Sequence, residues 1–183
     1  MLNQQRIIVA FHKGEKSKGV GAWLVSAMCK VFTNSDYRHG RKRGINKSRY
    51  AHTEVIFPVS VAGDKNSFSS RGTADPSGVS FKEIKYSHPD RWDFVDVDWI
   101  DSFEGIESAY RVACTLTGKK YAYNNVFNTF GFFRTKKDRK GAEDWWCSEV
   151  DAYVIGIPEY KVSPNKLFTE VCLRNAEYHK GKR

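Results

Sequence analysis

The feature that most constrains the fold is a central run of short β-type segments with helical segments on both sides. The β-type segments cover Ala51–Val61, Ser67–Ser70, Val79–Ile84 and Trp92–Ile100. The last of these alternates apolar and acidic residues, a pattern typical of a strand with one face in water. A helix, then antiparallel-type strands, then further helices predict an α+β fold.

The flanking segments carry their own start and stop signals. We predict a first strand over Arg6–Phe11, and helices over Val20–Phe32, Ser102–Thr117, Cys147–Ile155 and Asn165–Arg174. Gly118 is the predicted stop of one helix, and Ser163 followed by Pro164 is the predicted start of the last.

Length and composition narrow the class of protein. The chain has 183 residues, which fits a single domain over 1–183, and its 40% hydrophobic content excludes wholesale disorder. No apolar stretch reaches about 20 residues, so we expect no membrane-spanning helix. The first residues lack the pattern of a signal peptide, which predicts a cytoplasmic location. The four cysteines form no CxxC pair and no zinc spacing, so we expect free thiols and neither a metal nor another cofactor.

The positive charge is concentrated in two segments. Lys and Arg number 30 against 21 Asp and Glu, a formal net charge of +9. We predict basic loops at about 38–49 and 134–140, with Arg41, Lys42, Arg43, Lys136 and Lys137 as candidate contacts to an anionic partner. Two solvated loops are the simpler interpretation, and the sequence leaves both open.

Cys147 stands at the predicted start of a helix. There the helix dipole and unpaired backbone N–H groups favour the thiolate and can stabilise a developing oxyanion. Cys29, Cys114 and Cys172 lie inside helical patterns, where a cysteine is usually an ordinary residue of the hydrophobic core. Cys147 is therefore the candidate nucleophile, although a buried structural cysteine fits the same position.

A cysteine nucleophile needs a base and a group that orients the base. His52 lies in a predicted strand, and Glu54, two residues later, lies on the same face because side chains alternate. A strand with His-x-Glu that faces a helix start with Cys favours a Cys/His/acid triad. Glu54 as a plain surface residue is the alternative.

These motifs resemble a known family. YAHTEVIF (50–57), GVSFKEI (78–84), GKKYAYNN (118–125), WWCSEV (145–150) and SPNKLF (163–168) together look like the circularly permuted branch of the NlpC-type papain-like cysteine hydrolases. This is the YiiX-like and lecithin retinol acyltransferase-like group, with small bacterial, phage and viral members. The resemblance implies a papain-like antiparallel sheet packed against helices.

The resemblance also implies roles for individual residues: Cys147 as nucleophile, His52 as general base and Glu54 as the orienting acid. Ser69 and Asp64 are alternatives to Glu54. Glu149 is either catalytic or a support for the helix start, and Tyr50 is a candidate oxyanion donor.

The expected activity is cleavage of an amide or ester bond in a peptide, isopeptide or acylated substrate. Water or another acceptor then resolves the acyl-enzyme. The alternatives are a basic binding module for nucleic acid or anionic membrane on an inactive scaffold, and a host-interaction protein with an acidic partner.

Overall fold

The computed structural model describes residues 5–13, 34–72, 77–83, 86–122, 144–158 and 162–182. Its strands are β1 (Ile8–His12), β2 (His52–Ile56), β3 (Ser67–Arg71), β4 (Gly78–Lys82), β5 (Trp92–Asp96), β6 (Lys120–Tyr121) and β7 (Asp144–Trp145). Its helices are α1 (Asn34–Lys42), α2 (Val59–Ala62), α3 (Phe103–Leu116), α4 (Cys147–Val154) and α5 (Pro164–Gly181). A short 3-10 turn at Pro89–Arg91 precedes β5.

The first five strands form one antiparallel sheet in the order β4-β3-β2-β1-β5. Ile8 pairs with Ile56, and His12 pairs with His52 on one side and with Trp92 on the other. The predicted α+β fold with an antiparallel sheet is therefore confirmed. The strands β6 and β7 form a separate parallel pair.

The two faces of the sheet have different surroundings. On the core face, Val9, Phe11, Val55 and Phe68 pack with buried residues of three helices, namely Ala113 of α3, Val150 of α4 and Leu167 of α5. On the second face, Ile8, Ala10 and Ile56 form a small cluster with Tyr86, Trp92 and Phe94. Because side chains alternate along each strand, neighbouring residues of β2 belong to opposite faces.

The helix signals in the sequence correspond to real caps. The Ser102 hydroxyl accepts from the Gly105 amide at the start of α3, and Gly118 follows that helix with φ 88°. The Ser163 hydroxyl accepts from the Lys166 amide, with Pro164 as the first residue of α5. These bonds satisfy amides that have no partner within the helix, so the predicted start of α5 and the predicted stop of α3 are confirmed. The predicted end of α5 at Arg174 was wrong, because the helix continues to Gly181.

Three other boundary predictions were also wrong. Arg38–Lys42 belongs to α1, so the first basic segment is helical up to Lys42 and a loop only beyond it. The predicted strand over 51–61 stops at Ile56, and Val59–Ala62 is helical after Pro58. The last strand stops at Asp96, and Asp98 and Trp99 form a turn. The predicted helix over 20–32 and the predicted loop at 134–140 lie outside the described residues.

No helix among the described residues is long and apolar enough to cross a membrane.

Gly40 sets how closely α1 approaches α5. A Cβ at Gly40 would lie 2.5 Å from Asn46 Cγ and 2.6 Å from Thr169 Oγ1. Both groups are buried, and they are joined to each other by a 3.0 Å hydrogen bond, so they have little room to move.

We therefore expect Gly40→Ala to lower the free energy of unfolding by about 1–3 kcal/mol, the usual range for overpacking. Urea denaturation followed by circular dichroism measures this change. Gly181→Ala is the matched control, because a Cβ there meets no atom within 4 Å. Equal stability of the two variants would contradict the tight contact.

Candidate functional site

The carboxylate of Glu54 is the centre of a buried polar cluster on the second face. Its side chain is 1% exposed. Oε1 lies 2.5 Å from Lys82 Nζ, 3.3 Å from His52 Nε2 and 3.4 Å from an Arg71 guanidinium nitrogen. Oε2 accepts from the Ser67 hydroxyl at 2.7 Å and from the Tyr86 hydroxyl at 3.1 Å. This glutamate thus contacts side chains of β2, β3 and β4.

The cluster fixes the protonation states of its members. Burial by itself raises the pKa of Glu54, but the His52 hydrogen bond and the charges of Arg71 and Lys82 outweigh burial and hold that pKa well below its ordinary value. Desolvation by the surrounding protein lowers the pKa of His52, and the contact with Glu54 offsets only part of this. Glu54 is therefore an anion and His52 a neutral imidazole at neutral pH.

Cys147 begins α4 and is 2% exposed. It belongs to a small apolar cluster with Ala122 and Trp146, against which Ala51 packs. Since Ala51 immediately precedes His52, the thiol cluster lies beside the start of β2.

Two hydroxyl groups hold the start of α4. The Ser70 hydroxyl of β3 donates to the Trp145 carbonyl at 2.6 Å. The Ser148 hydroxyl donates to the Val162 carbonyl, just before α5. The backbone around Cys147 is therefore fixed from two directions.

The structure brings together only part of the predicted triad. His52 and Glu54 are in contact, as predicted from their spacing. Cys147, however, begins the helix α4, which packs against the core face. The hydrogen bond from the Thr53 hydroxyl on that face to Asp151 of α4 shows this packing. The side chains of His52 and Glu54 leave β2 on the second face. The thiol and the imidazole thus flank the start of β2 from opposite sides.

The other predicted polar residues are engaged elsewhere. The Ser69 hydroxyl donates to the Thr53 carbonyl at 2.7 Å, and Asp64 is exposed in a turn beyond the far end of β2 from His52. The Tyr50 hydroxyl donates to Asp93 at 2.6 Å, and its ring stacks on Phe168. Ser69, Asp64 and Tyr50 are therefore not placed to orient His52 or to stabilise an oxyanion. Glu149 is buried in the first turn of α4.

The remaining cysteines differ from Cys147 in position. Cys114 is exposed on α3, contrary to the expected core position, because its part of the helix faces solvent. Cys172 is half-buried on α5, and burial raises its pKa to about 11. Cys29 lies outside the described residues.

The first basic segment presents its positive charges at the surface of the protein. Arg41 and Lys42 lie at the end of α1 and Arg43 follows directly, all three exposed. Lys136 and Lys137 lie outside the described residues.

Sequence reasoning missed several residues of the site. Arg71 and Lys82 end β3 and β4, and their charges reach Glu54 only because β3 lies between β2 and β4. Thr53 and Asp151 link β2 to α4. The segment VSFKEI was predicted as a strand, but the strand order that brings Lys82 to Glu54 has no local signal in the sequence.

The described part of the chain contains no group of three or more His, Cys, Asp or Glu side chains that could hold a metal ion. The fold and site thus define an α+β protein in which a thiol at a helix start lies beside a strand with a carboxylate-bound imidazole. No family model, no curated protein and no solved structure matches this chain.

We expect Glu54→Gln to lower the free energy of unfolding at pH 7 by about 3 kcal/mol, because the buried Arg71 loses its counter-ion. The wild-type protein should lose stability as the pH falls below about 4.5, the ordinary pKa of a glutamate, because the folded state favours the ionised form. The variant should lack this part of the pH dependence. Thermal unfolding between pH 3 and pH 8 tests both statements.

Glu177→Gln is the matched control, since Glu177 is exposed on α5. A pH dependence that is the same in Glu54→Gln and in Glu177→Gln would show that the Glu54 cluster contributes no stability.

Proposed function

We propose that the protein is a cysteine-nucleophile hydrolase or acyltransferase of the permuted NlpC-type group, with Cys147 as nucleophile and His52 as base. The observation that supports it is the pairing of His52 with the buried anion of Glu54 at the start of β2, beside the cluster that contains Cys147. A neutral imidazole oriented by a carboxylate is what a cysteine nucleophile needs from its base.

The hydrogen bond to Glu54 assigns the imidazole tautomer. With Nε2–H donating to Glu54, Nδ1 is the ring atom that accepts the thiol proton. The thiolate attacks the carbonyl carbon of an amide or ester, and the imidazolium returns the proton to the leaving amine or alcohol. The acyl-enzyme that remains is resolved by water or by another acceptor, whose proton passes to His52.

In this proposal, the proton transfer from Cys147 to His52 depends on where the two residues lie relative to the two faces of β2. His52 is the first residue of the strand, and Ala51 before it touches the thiol cluster. Proton transfer between Cys147 and His52 therefore passes around the N-terminal end of β2 and not across the strand. The reaction takes place at this end of the sheet.

The substrate that we propose is an amide or ester in a cytoplasmic peptide, isopeptide or acylated molecule. The resemblance to the permuted hydrolases supports this class, and it leaves the acyl group open because related folds carry different substrates.

We expect Cys147→Ala to abolish the rapid labelling of the protein by an iodoacetamide or acyl-electrophile probe at neutral pH, and His52→Gln to slow labelling of Cys147 by about 10²–10⁴-fold. The rate of labelling of Cys147 in the wild-type protein should decrease on the acidic side only below pH 6.5, because the pKa of His52 is lowered from that value. Peptide mapping by mass spectrometry measures labelling at each cysteine.

Cys172→Ala is the matched control and should react at Cys147 at the wild-type rate. If Cys147 reacts no faster than the exposed Cys114 in the wild-type protein, the thiol is not activated and the hydrolase proposal fails.

A second candidate function is the binding of a polyanion, supported by a surface that we call the cationic surface. It consists of six exposed residues: Arg38, Arg41, Lys42, Arg43, Lys47 and Arg49. Among the described carboxylates none forms an ion pair with any of the six. The side chain of Asp36 in the same helix accepts from Ser163 instead. Three of these cations lie on α1 and three in the segment that follows it, and cations without a carboxylate partner are suited to the phosphates of a nucleic acid.

The composition of α1 favours nucleic acid over a membrane. Its exposed side chains are serine, histidine, arginine and lysine, with no exposed apolar residue to insert into lipid.

We expect the triple variant Arg41→Gln, Lys42→Gln, Arg43→Gln to weaken binding to a single-stranded oligonucleotide. The slope of log K against log salt should fall by about 0.7 for each lost phosphate contact. Fluorescence anisotropy over a salt series measures the slope.

The control is Lys65→Gln, Lys119→Gln, Lys120→Gln, which removes the same charge from exposed lysines outside the cationic surface. An equal effect of the two triple variants would show that net charge alone drives the binding. Binding to anionic vesicles but not to the oligonucleotide would contradict the choice of nucleic acid.

A further inference from the structure

One buried hydrogen bond joins the strand of the proposed base to the helix of the proposed nucleophile. The Thr53 hydroxyl donates to Asp151 Oδ2 at 2.6 Å, and both side chains are fully buried. Thr53 follows His52 directly on β2, and Asp151 lies four residues, about one turn, after Cys147 on α4.

Other bonds to this part of the chain do not involve β2. Ser70 holds the Trp145 carbonyl from β3, and Ser148 holds the Val162 carbonyl next to α5. The Thr53–Asp151 bond therefore complements them by fixing α4 against β2 itself.

The chemistry of Asp151 is unusual for a residue that only stabilises the fold. Its carboxyl is buried, and its Oδ1 has no hydrogen-bond partner. Burial raises the pKa of Asp151 well above its ordinary value, and the charge of Glu54 raises it further, against the hydrogen bond from Thr53, which lowers it. An apolar side chain avoids this desolvation penalty but gives up the hydrogen bond to Thr53.

We propose that Thr53 and Asp151 are positioning residues. Their hydrogen bond holds Cys147 at a fixed position along the start of β2, so that the His52 ring can reach the thiol. This inference rests on the proposed hydrolase function. A displacement of about 1 Å between reacting groups can cost up to about 100-fold in rate. The hydrogen bond therefore acts on reactivity through geometry, without contact with the substrate.

The test measures the rate constant for carbamidomethylation of Cys147 by iodoacetamide as a function of pH, together with the thermal midpoint. Thr53→Val removes the hydroxyl at nearly constant shape, and we expect it to slow the reaction at pH 7 by about 10- to 100-fold. Thr53→Ser keeps a hydroxyl and should react within about twofold of the wild-type rate, as should Asp151→Asn, whose amide oxygen still accepts the hydrogen bond.

A control separates positioning from general loss of stability. Val171→Ala shortens a buried side chain of α5 away from β2, and it should lower the thermal midpoint without changing the rate at Cys147. If Thr53→Val alters only the midpoint, as Val171→Ala does, the positioning role is wrong while the hydrolase proposal stands. If Cys147 of the wild-type protein reacts no faster than Cys114, both proposals fail.

Discussion

The carboxylate of Glu54 is the interaction on which the arrangement of the sheet depends. It is a buried anion with a lysine of β4, an arginine of β3 and a histidine of its own strand within 3.4 Å. A buried ion pair contributes little compared with an apolar replacement, but removal of one partner leaves an uncompensated charge. A one-residue slip of β2 would move Glu54 to the core face among Phe68 and Val150, so the cluster enforces the register.

Local patterns predicted the elements whose causes are local. Short β-type segments predicted the five main strands, the alternation of apolar and acidic residues supported the last of them, and the two-residue spacing placed His52 and Glu54 on one face. Ser163 and Gly118 predicted helix ends because capping is a short-range interaction. The helix α1 was missed because NSDYRHGRK has no apolar stripe, and only Gly40 of that helix is buried. It forms through its close packing on α5, which the segment itself does not encode.

The sequence predicted which residues belong to the candidate site, but it did not predict how they are arranged in space. The predicted helix start singled out Cys147, and the two-residue spacing singled out His52 and Glu54. Alternation, however, only divides β2 into two faces and does not say which face a helix covers. The Thr53–Asp151 bond shows that α4 covers the face of Thr53. Arg71 and Lys82 were missed for a related reason, since their role depends on β3 lying between β2 and β4. These facts belong to tertiary structure, and no single segment carries them.

The position of the thiol and the imidazole on opposite sides of β2 limits where a substrate of the proposed hydrolase can bind. His12 lies between His52 and Trp92 in the strand register, and its ring is 4.8 Å from the Trp92 ring. All three side chains leave the sheet on its second face, at the end where β2 begins. In the proposed hydrolase, a carbonyl that reached Cys147 around this end would bring the rest of its molecule close to these rings. Flat or apolar groups pack well on such a surface, so the same geometry that separates the two reactive groups would favour an acyl portion with apolar area.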